Sequence, residues 1–205
     1  MGKVVSGITT SIDGYITGPN DGPGAGLGEG GERLHYWVFG GPWSYGQQPG
    51  GGGEGGTGEA VGADKEYLDL AFANMGAVIG GRWTYEAADH WGDENPWSVP
   101  FFVVTHRPDE QPAKGGFTFV GSFDEALERA RAAAGDREVQ IMGGASLIRQ
   151  ALKAGVVEEF ALTISPVVLG RGKRLFDGFD MDLEFEQVRT WTSPLATHIL
   201  YRLKR

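Results

Sequence analysis

The chain alternates between short apolar runs and amphipathic stretches, and the spacing within each run predicts its element. KVVSGIT (3–9) is apolar and β-branched, the pattern of a strand buried on both faces. DKEYLDLAFANM has helical spacing, with Tyr67, Leu68, Ala71, Phe72 and Met75 on one face and Asp64 as N-cap. AVIG (77–80) predicts a short buried strand, and GRWTYEAADHW after it the start of a helix. PFFVVTHRP predicts a strand over 101–105 and a turn ended by Pro108; FTFV (117–120) predicts another strand. SFDE (122–125) is a capping box, Ser at N-cap and Glu at N3, opening a helix that stops before Gly135.

EVQIM (138–142) predicts a strand running straight into GGAS, and SLIRQALKAG a helix with Gly155 at C′. EEFALTIS (158–165) predicts a strand, followed by PVVLGRGKRLF as an irregular crossing segment. DLEFEQVRT (182–190) and THILYRL (197–203) predict an antiparallel pair joined near Ser193 and Pro194. Alternating strands and helices closed by such a pair imply an α/β fold, its sheet mainly parallel with an antiparallel edge. There is no internal repeat, and one domain is expected over residues 1–205.

Two stretches depart from this rhythm. Between about 21 and 60 lie sixteen of the 35 glycines, including GGGEGGTG. Such a segment loses much entropy on ordering and has little to bury, so it predicts a long surface loop. An apolar patch within it, LHYWVFGGPW (34–43), predicts a short helix or a lid. The second stretch is TTSIDGYITGPND (9–21), whose Asp13-Gly14 pair is both a hairpin signal and an acid in a loop after a buried strand. The glycine-rich residues that follow offer no strand to pair with, so a loop with a local bend is expected there.

Charge narrows the function classes. With 18 basic and 27 acidic residues the net charge is −9, which argues against a nucleic-acid binder and against attachment to anionic lipid. With no cysteine, disulfides, thiolate metal sites and thiol nucleophiles are excluded. The start, MGKVVSGITT, lacks a signal-peptide pattern, and no stretch approaches the roughly 18 apolar residues of a membrane span. A soluble cytoplasmic protein is expected.

The literal G-x-G-x-x-G match at Gly26, Gly28 and Gly31 neither follows a strand nor opens a helix, so it lacks the context of a dinucleotide fingerprint. IMGGAS (141–146) has that context: two glycines between a buried strand and an amphipathic helix, where free N–H groups can receive a phosphate. GGRWTYE (80–86) repeats the arrangement, adding Arg82 and Thr84 as donors. A third predicted strand ends in Thr105, His106 and Arg107. Three strand ends carrying anion-binding groups fit the rule that ligands bind beyond the carboxyl ends of open α/β sheets. His35, His90, His106 and His198 show no metal-ligand spacing, and no metal is expected. No G-x-S-x-G elbow is present. Trp37, Trp43, Trp83, Trp91 and Trp97 exceed the usual needs of a core, so some are expected to line a pocket for a flat ligand.

In order, SIDGYITGPND, GGRWTYE, VVTHRP, SFDEALE, IMGGASLIRQAL and EEFALTISPVVLGRGKRLF resemble the dihydrofolate-reductase-like superfamily. The branch they resemble most is the C-terminal reductase domain of the riboflavin biosynthesis protein RibD. The resemblance implies a mainly parallel eight-stranded sheet, NADPH as cofactor, a small-molecule substrate and a homodimer. It implies that Gly81, Arg82 and Thr84 contact the cofactor phosphates and that Thr105, His106 and Arg107 face its adenosine end. Gly143, Gly144, Ala145 and Ser146 would cradle the pyrophosphate, with Ile8, Thr9 and Ile16 near the nicotinamide. Its S-x-D-G element makes Asp13 the candidate catalytic residue, beside the alternative that Asp13 only closes its turn. On the helix where dihydrofolate reductases carry an acid, Asp64, Glu66 and Asp69 do not fall on that pattern. The expected activity is hydride transfer to a C=N or C=O bond of a pterin-like or ribosylamino-pyrimidine-like substrate, by a stand-alone reductase. Two alternatives stay open: a non-catalytic nucleotide- or heterocycle-binding module on the same fold, and a reductase using a deazaflavin.

Overall fold

The computed structural model describes residues 2–46, 57–112 and 115–204. Residues 51–56 of the glycine tract lie outside them. One sheet of eight strands dominates, in the order β5-β4-β3-β6-β1-β7-β10-β9. Its strands are β1 (Val4–Ser11), β3 (Met75–Gly81), β4 (Phe101–Val104), β5 (Phe117–Val120), β6 (Glu138–Met142), β7 (Glu159–Ser165), β9 (Phe185–Thr192) and β10 (Thr197–Leu203). The five pairings from β5 to β7 are parallel, and β10 adds antiparallel to β7 and to β9, as the sequence pattern predicts. Burial on both faces explains why β3, MGAVIGG, is apolar throughout.

Helices α3 (Phe123–Ala134) and α4 (Ala145–Lys153) cover one face. Their apolar stripes, including Ala126, Leu127, Ala130, Leu147, Ile148 and Leu152, meet Val4, Ile79, Val139 and Ile141 in the main core. The α3 capping box forms with a small change. Ser122 Oγ accepts from Glu125 N at 3.2 Å, and Glu125 reaches back to Gly121 N at 3.1 Å rather than to the N-cap amide. Gly155, φ 64°, follows α4 at the predicted C′ position.

On the other face the core divides. One cluster, Val78, Tyr85, Phe101, Val103, Phe117 and Phe119, lies over β3, β4 and β5. The other, Trp37, Tyr67, Ala161, Trp191 and Ala196, lies over β7, β9 and β10. Between them the sheet presents Gly80, Met142, Gly7 and Ala161 in one register row. These mostly small side chains leave open space above β6 and β1.

Several expectations are corrected. Helix α1 (Gly62–Ala73) starts before Asp64, so Asp64 is not its N-cap; Val61 is. Asp64 and Tyr67 are its buried residues, whereas Phe72 is 37% exposed. The expected apolar face is narrower because Met75 already belongs to β3. The insert is also not all surface. A 3₁₀ turn over Gly31–His35 buries Leu34 completely, and Trp37 packs under α1. Ser165 Oγ donates to Leu34 O at 2.8 Å, which fastens this turn to the end of β7.

Residues 9–21 form no hairpin with β1. Short strand β2 (Tyr15–Thr17) instead pairs antiparallel with β8 (Lys173–Arg174), inside the segment expected to be irregular. Gly28 and its neighbours, the rejected fingerprint, make a compact turn: at φ 73° an added Cβ at Gly28 would stand 2.5 Å from Gly18 O. Helix α2 (Arg82–Ala87) is short and gives way to a left-handed turn in which Asp89, His90 and Trp91 have φ of 49°, 55° and 51°.

Candidate active site

The gap between the two clusters is a cleft of about 1330 Å³ at the carboxyl ends of β3, β4, β6 and β1. All thirteen residues expected at a cofactor line it: Ile8, Thr9, Ile16, Gly81, Arg82, Thr84, Thr105, His106, Arg107, Gly143, Gly144, Ala145 and Ser146. So do Trp37, Trp43, Trp83, Trp91 and Trp97. Strands far apart in sequence thus deliver the three expected turns to one opening.

At its glycine end the turns after β3 and β6 touch. Gly81 N donates to Gly143 O at 3.4 Å, and the Gly143–Gly144 peptide is cis. Thr84 Oγ1 lies 3.4 Å from where a Cβ on Gly144 would stand, and Gly143 has φ 47°, so side chains here would crowd the turn. Gly144 caps α4 without a side-chain hydrogen bond, leaving the first amides of that helix free of a capping oxygen. A Cβ on Gly81 would sit 3.9 Å from Gly144 N, filling the hollow between the turns. Arg82 adds charge: its Nη1 is buried with no hydrogen-bond partner among the described residues. Backbone donors, a cationic group and a space kept free of Cβ atoms suit a phosphate.

At the end of β4, Thr105 is buried and its Oγ1 accepts from Arg107 N at 3.1 Å, which aims the exposed Arg107 across the opening. Two carboxylates already engage the arginines. Glu86 accepts from Arg82 Nε at 2.6 Å and from Arg107 Nη2 at 3.4 Å. Glu110 lies 3.3 Å from Arg82 and 3.2 Å from Arg107. Any anion bound here competes with Glu86 and Glu110.

Asp13 stands apart from the cleft-lining residues. Its Oδ1 accepts from Ser11 Oγ at 2.6 Å and from Leu169 N at 3.1 Å, and its Oδ2 accepts from Gly170 N at 2.7 Å. These bonds, that from Ser11 foremost, hold its pKa down at about 2 against a partial loss of hydration. Asp13 therefore ties the bend after β1 to the segment after β7.

The other end of the cleft holds groups that the sequence pattern did not bring forward. His35 is a partly buried lining residue, and loss of hydration lowers its pKa to about 4. Tyr67 and Thr163 also line the cleft, over a buried pair, His198 and Asp64. The one available signal was parity: His198 stands in THILYRL at an alternation position that faces the core. Spacing of histidines alone could not show its partner on α1. Among the described residues no His, Asp and Glu cluster suits a metal, and no helix is long and apolar enough to cross a membrane.

Solved structures share this fold. A protein from Shewanella sp. PV-4 assigned to riboflavin biosynthesis superposes with a TM-score of 0.69 at 22% identity, over 99% of both chains. Dihydrofolate reductase from Enterococcus faecalis, complexed with NADP(H) and RAB-propyl, gives 0.61 at 15% identity, over 100% of this chain and 98% of its own. A pyrimidine reductase-like protein from Corynebacterium diphtheriae gives 0.60 at 16%, over 100% and 92%. Two uncharacterized Bacillus subtilis (strain 168) proteins are similar in sequence. YwjB is 31% identical over 114 residues, 55% of this chain and 64% of its own; YyaP is 43% identical over 56 residues, 27% and 30%. The match therefore spans less than two thirds of either relative. The model of the RibD C-terminal domain matches residues 2–199, nearly the full length of a chain whose α/β sheet is dihydrofolate-reductase-like. This chain belongs to the RibD C-terminal domain family.

Proposed function

We propose that the protein is an NADPH-dependent reductase acting on a C=N or C=O bond of a flat pterin-like or ribosylamino-pyrimidine-like substrate. The observation that carries this reading is the convergence of three donor-rich strand ends on one aromatic cleft. The amides around Gly143 and Gly144, together with Arg82 and Thr84, would hold the pyrophosphate, and Arg107 a phosphate at the adenosine end. When bound, the reduced nicotinamide supplies hydride, and the protein supplies orientation and electrostatics.

The remaining chemistry is the chain's own. Trp37, Phe39 and Trp43 give the cleft an apolar wall that excludes water from a flat ring. Tyr45 fixes part of the same wall, donating to Gly28 O at 2.9 Å and accepting from Leu27 N at 3.0 Å. Asp13 acts here by holding the bend between β1 and β2, which keeps Ile16 at the cleft.

The test has two stages. NADPH binding is measured by fluorescence titration, and oxidation is then followed with dihydrofolate, ribosylamino-pyrimidines and simple imines and ketones. Saturable binding followed by oxidation with a member of the panel is expected. Tight binding without any oxidation would mark a nucleotide-binding module, and preference for a deazaflavin in competition would change the cofactor.

A further inference from the structure

The buried polar groups at the far end of the cleft are connected in series. Asp64 and His198 are 1% and 0% exposed, yet both are polar. Asp64 Oδ1 lies 2.8 Å from His198 Nε2, and His198 Nδ1 lies 2.8 Å from Thr163 Oγ1. Thr163 stands beside Tyr67, and its hydroxyl favours the charged form of the phenol against the opposing effect of burial. Tyr67 and Thr163 are the members that line the cleft.

The series has a direction. Asp64 Oδ2 accepts from Ser193 Oγ at 2.9 Å, and Ser193 Oγ accepts from the amides of Leu195 and Ala196 at 2.9 and 3.0 Å. Backbone donors therefore close the inner end. The Asp64 carboxylate accepts a hydrogen bond from Nε2–H; neutral His198 then accepts from Thr163 at Nδ1, and a proton on Nδ1 turns the Thr163 hydroxyl to donate toward Tyr67. The imidazole is held in place by Tyr67 stacked at 4.1 Å and 13°, and by Trp37 edge-on at 4.7 Å. Packed apolar residues would serve stability at least as well as a buried ionisable pair, so stability does not account for this choice of residues.

We propose that Asp64, His198, Thr163 and Tyr67 are a proton relay that ends at the Tyr67 hydroxyl in the cleft and exchanges one proton with the substrate. The proposal rests on the reductase reading above. In the loaded form His198 carries a proton on both nitrogens beside the Asp64 carboxylate. When the substrate carbon accepts hydride from the reduced nicotinamide, the π pair of C=N or C=O moves to nitrogen or oxygen, which takes the Tyr67 proton. Tyr67 then takes the proton of Thr163, and Thr163 takes the one on Nδ1. His198 ends neutral, the nicotinamide ends oxidised, and a solvent proton reloads the imidazole once product leaves. The groups facing His198 are Asp64 and Tyr67 from α1, Thr163 from β7, Trp191 from β9, and Trp37. Asp64 is the charged one among them. Burial lowers the His198 pKa below its usual 6.5 against the opposing pull of Asp64, and the Tyr67 phenol stays protonated. The loaded fraction, and with it kcat, therefore falls as pH rises through that lowered value.

Two measurements on the full chain decide the matter. The first needs no turnover: ¹⁵N NMR of the histidine rings near neutral pH. His198 is expected to be neutral with its proton on Nε2, and Tyr67→Phe is expected to move the Nδ1 resonance. An Nδ1 resonance untouched by Tyr67→Phe would overturn the relay. The second is NADPH oxidation with dihydrofolate or a ribosylamino-pyrimidine. Tyr67→Phe and Thr163→Val are expected to lower kcat by about 100-fold with the NADPH Kd changed by less than about twofold. Thr163→Ser is expected to restore most of the rate, and His198→Gln to remove the acid-side pH dependence. Unchanged kcat in Tyr67→Phe would also overturn the relay. A parent that binds NADPH and oxidises it with nothing defeats the reductase reading, and the NMR result then decides the relay alone.

Discussion

His198 Nε2 lies 2.8 Å from Asp64 Oδ1, joining β10 to the first turn of α1 across 134 residues of sequence. Neither side chain is accessible to water. Removing the acid would leave an imidazole N–H buried without an acceptor. Asp64→Ala is therefore expected to destabilise the fold by about 3 kcal/mol, read as a lower urea midpoint, with Asp64→Asn costing less.

Stability should also depend on histidine protonation. Folding lowers the pKa of His35 from 6.5 to about 4 and moves that of His198 in the same direction. Between those folded values and 6.5 the unfolded chain binds more protons, so stability rises with pH across that window and levels off above it. From His35 alone the loss on acidifying to about pH 4 is at most about 3 kcal/mol. Urea unfolding at a series of pH values checks this, and His35→Phe should flatten the profile.

Gly81 separates fold from cofactor. A Cβ there meets nothing closer than Gly144 N at 3.9 Å, so the free protein tolerates it. Gly81→Ala is expected to keep the melting temperature of the free protein and to weaken NADPH by about tenfold, since close approach of a phosphate to the backbone is lost. Calorimetric titration and thermal shift on the same preparation test both halves.

Glu110 is half-exposed and pairs with both arginines of the cleft. Glu110→Gln removes a competitor for those cations and is expected to tighten NADPH by about two- to fivefold, with a smaller gain for NADH, which would share the pyrophosphate contact of Arg82 but not the phosphate offered to Arg107. A gain equal for both nucleotides would place the 2′-phosphate away from Arg107.

Asp13 makes an acid-side prediction. Its folded pKa of about 2 lies below the ordinary 3.8, so its fastening of the loops is fully present above 3.8 and is lost as pH falls towards 2. Hydrogen exchange should show the Gly170 amide protected at and above about pH 4 and exposed by Asp13→Asn at any pH.

Period and turn chemistry determined most of the sheet from sequence alone. The strands, α3 with its capping box, α4 with Gly155 behind it, and the antiparallel close are all local patterns of burial and capping. The glycine turns at Gly81 and Gly143 were likewise legible, because a strand running through Gly-Gly into a helix exposes amides whatever surrounds it. The tertiary structure decided what no local pattern carries. It placed the ends of β3, β4 and β6 side by side, sank Leu34 and Trp37 of a glycine-rich insert into the core, and spent the Asp13 carboxylate on backbone amides of the segment after β7. It also brought Asp64 to His198. A buried polar side chain is stable only with its partner, and that partner is set by packing between distant elements rather than by neighbours in sequence.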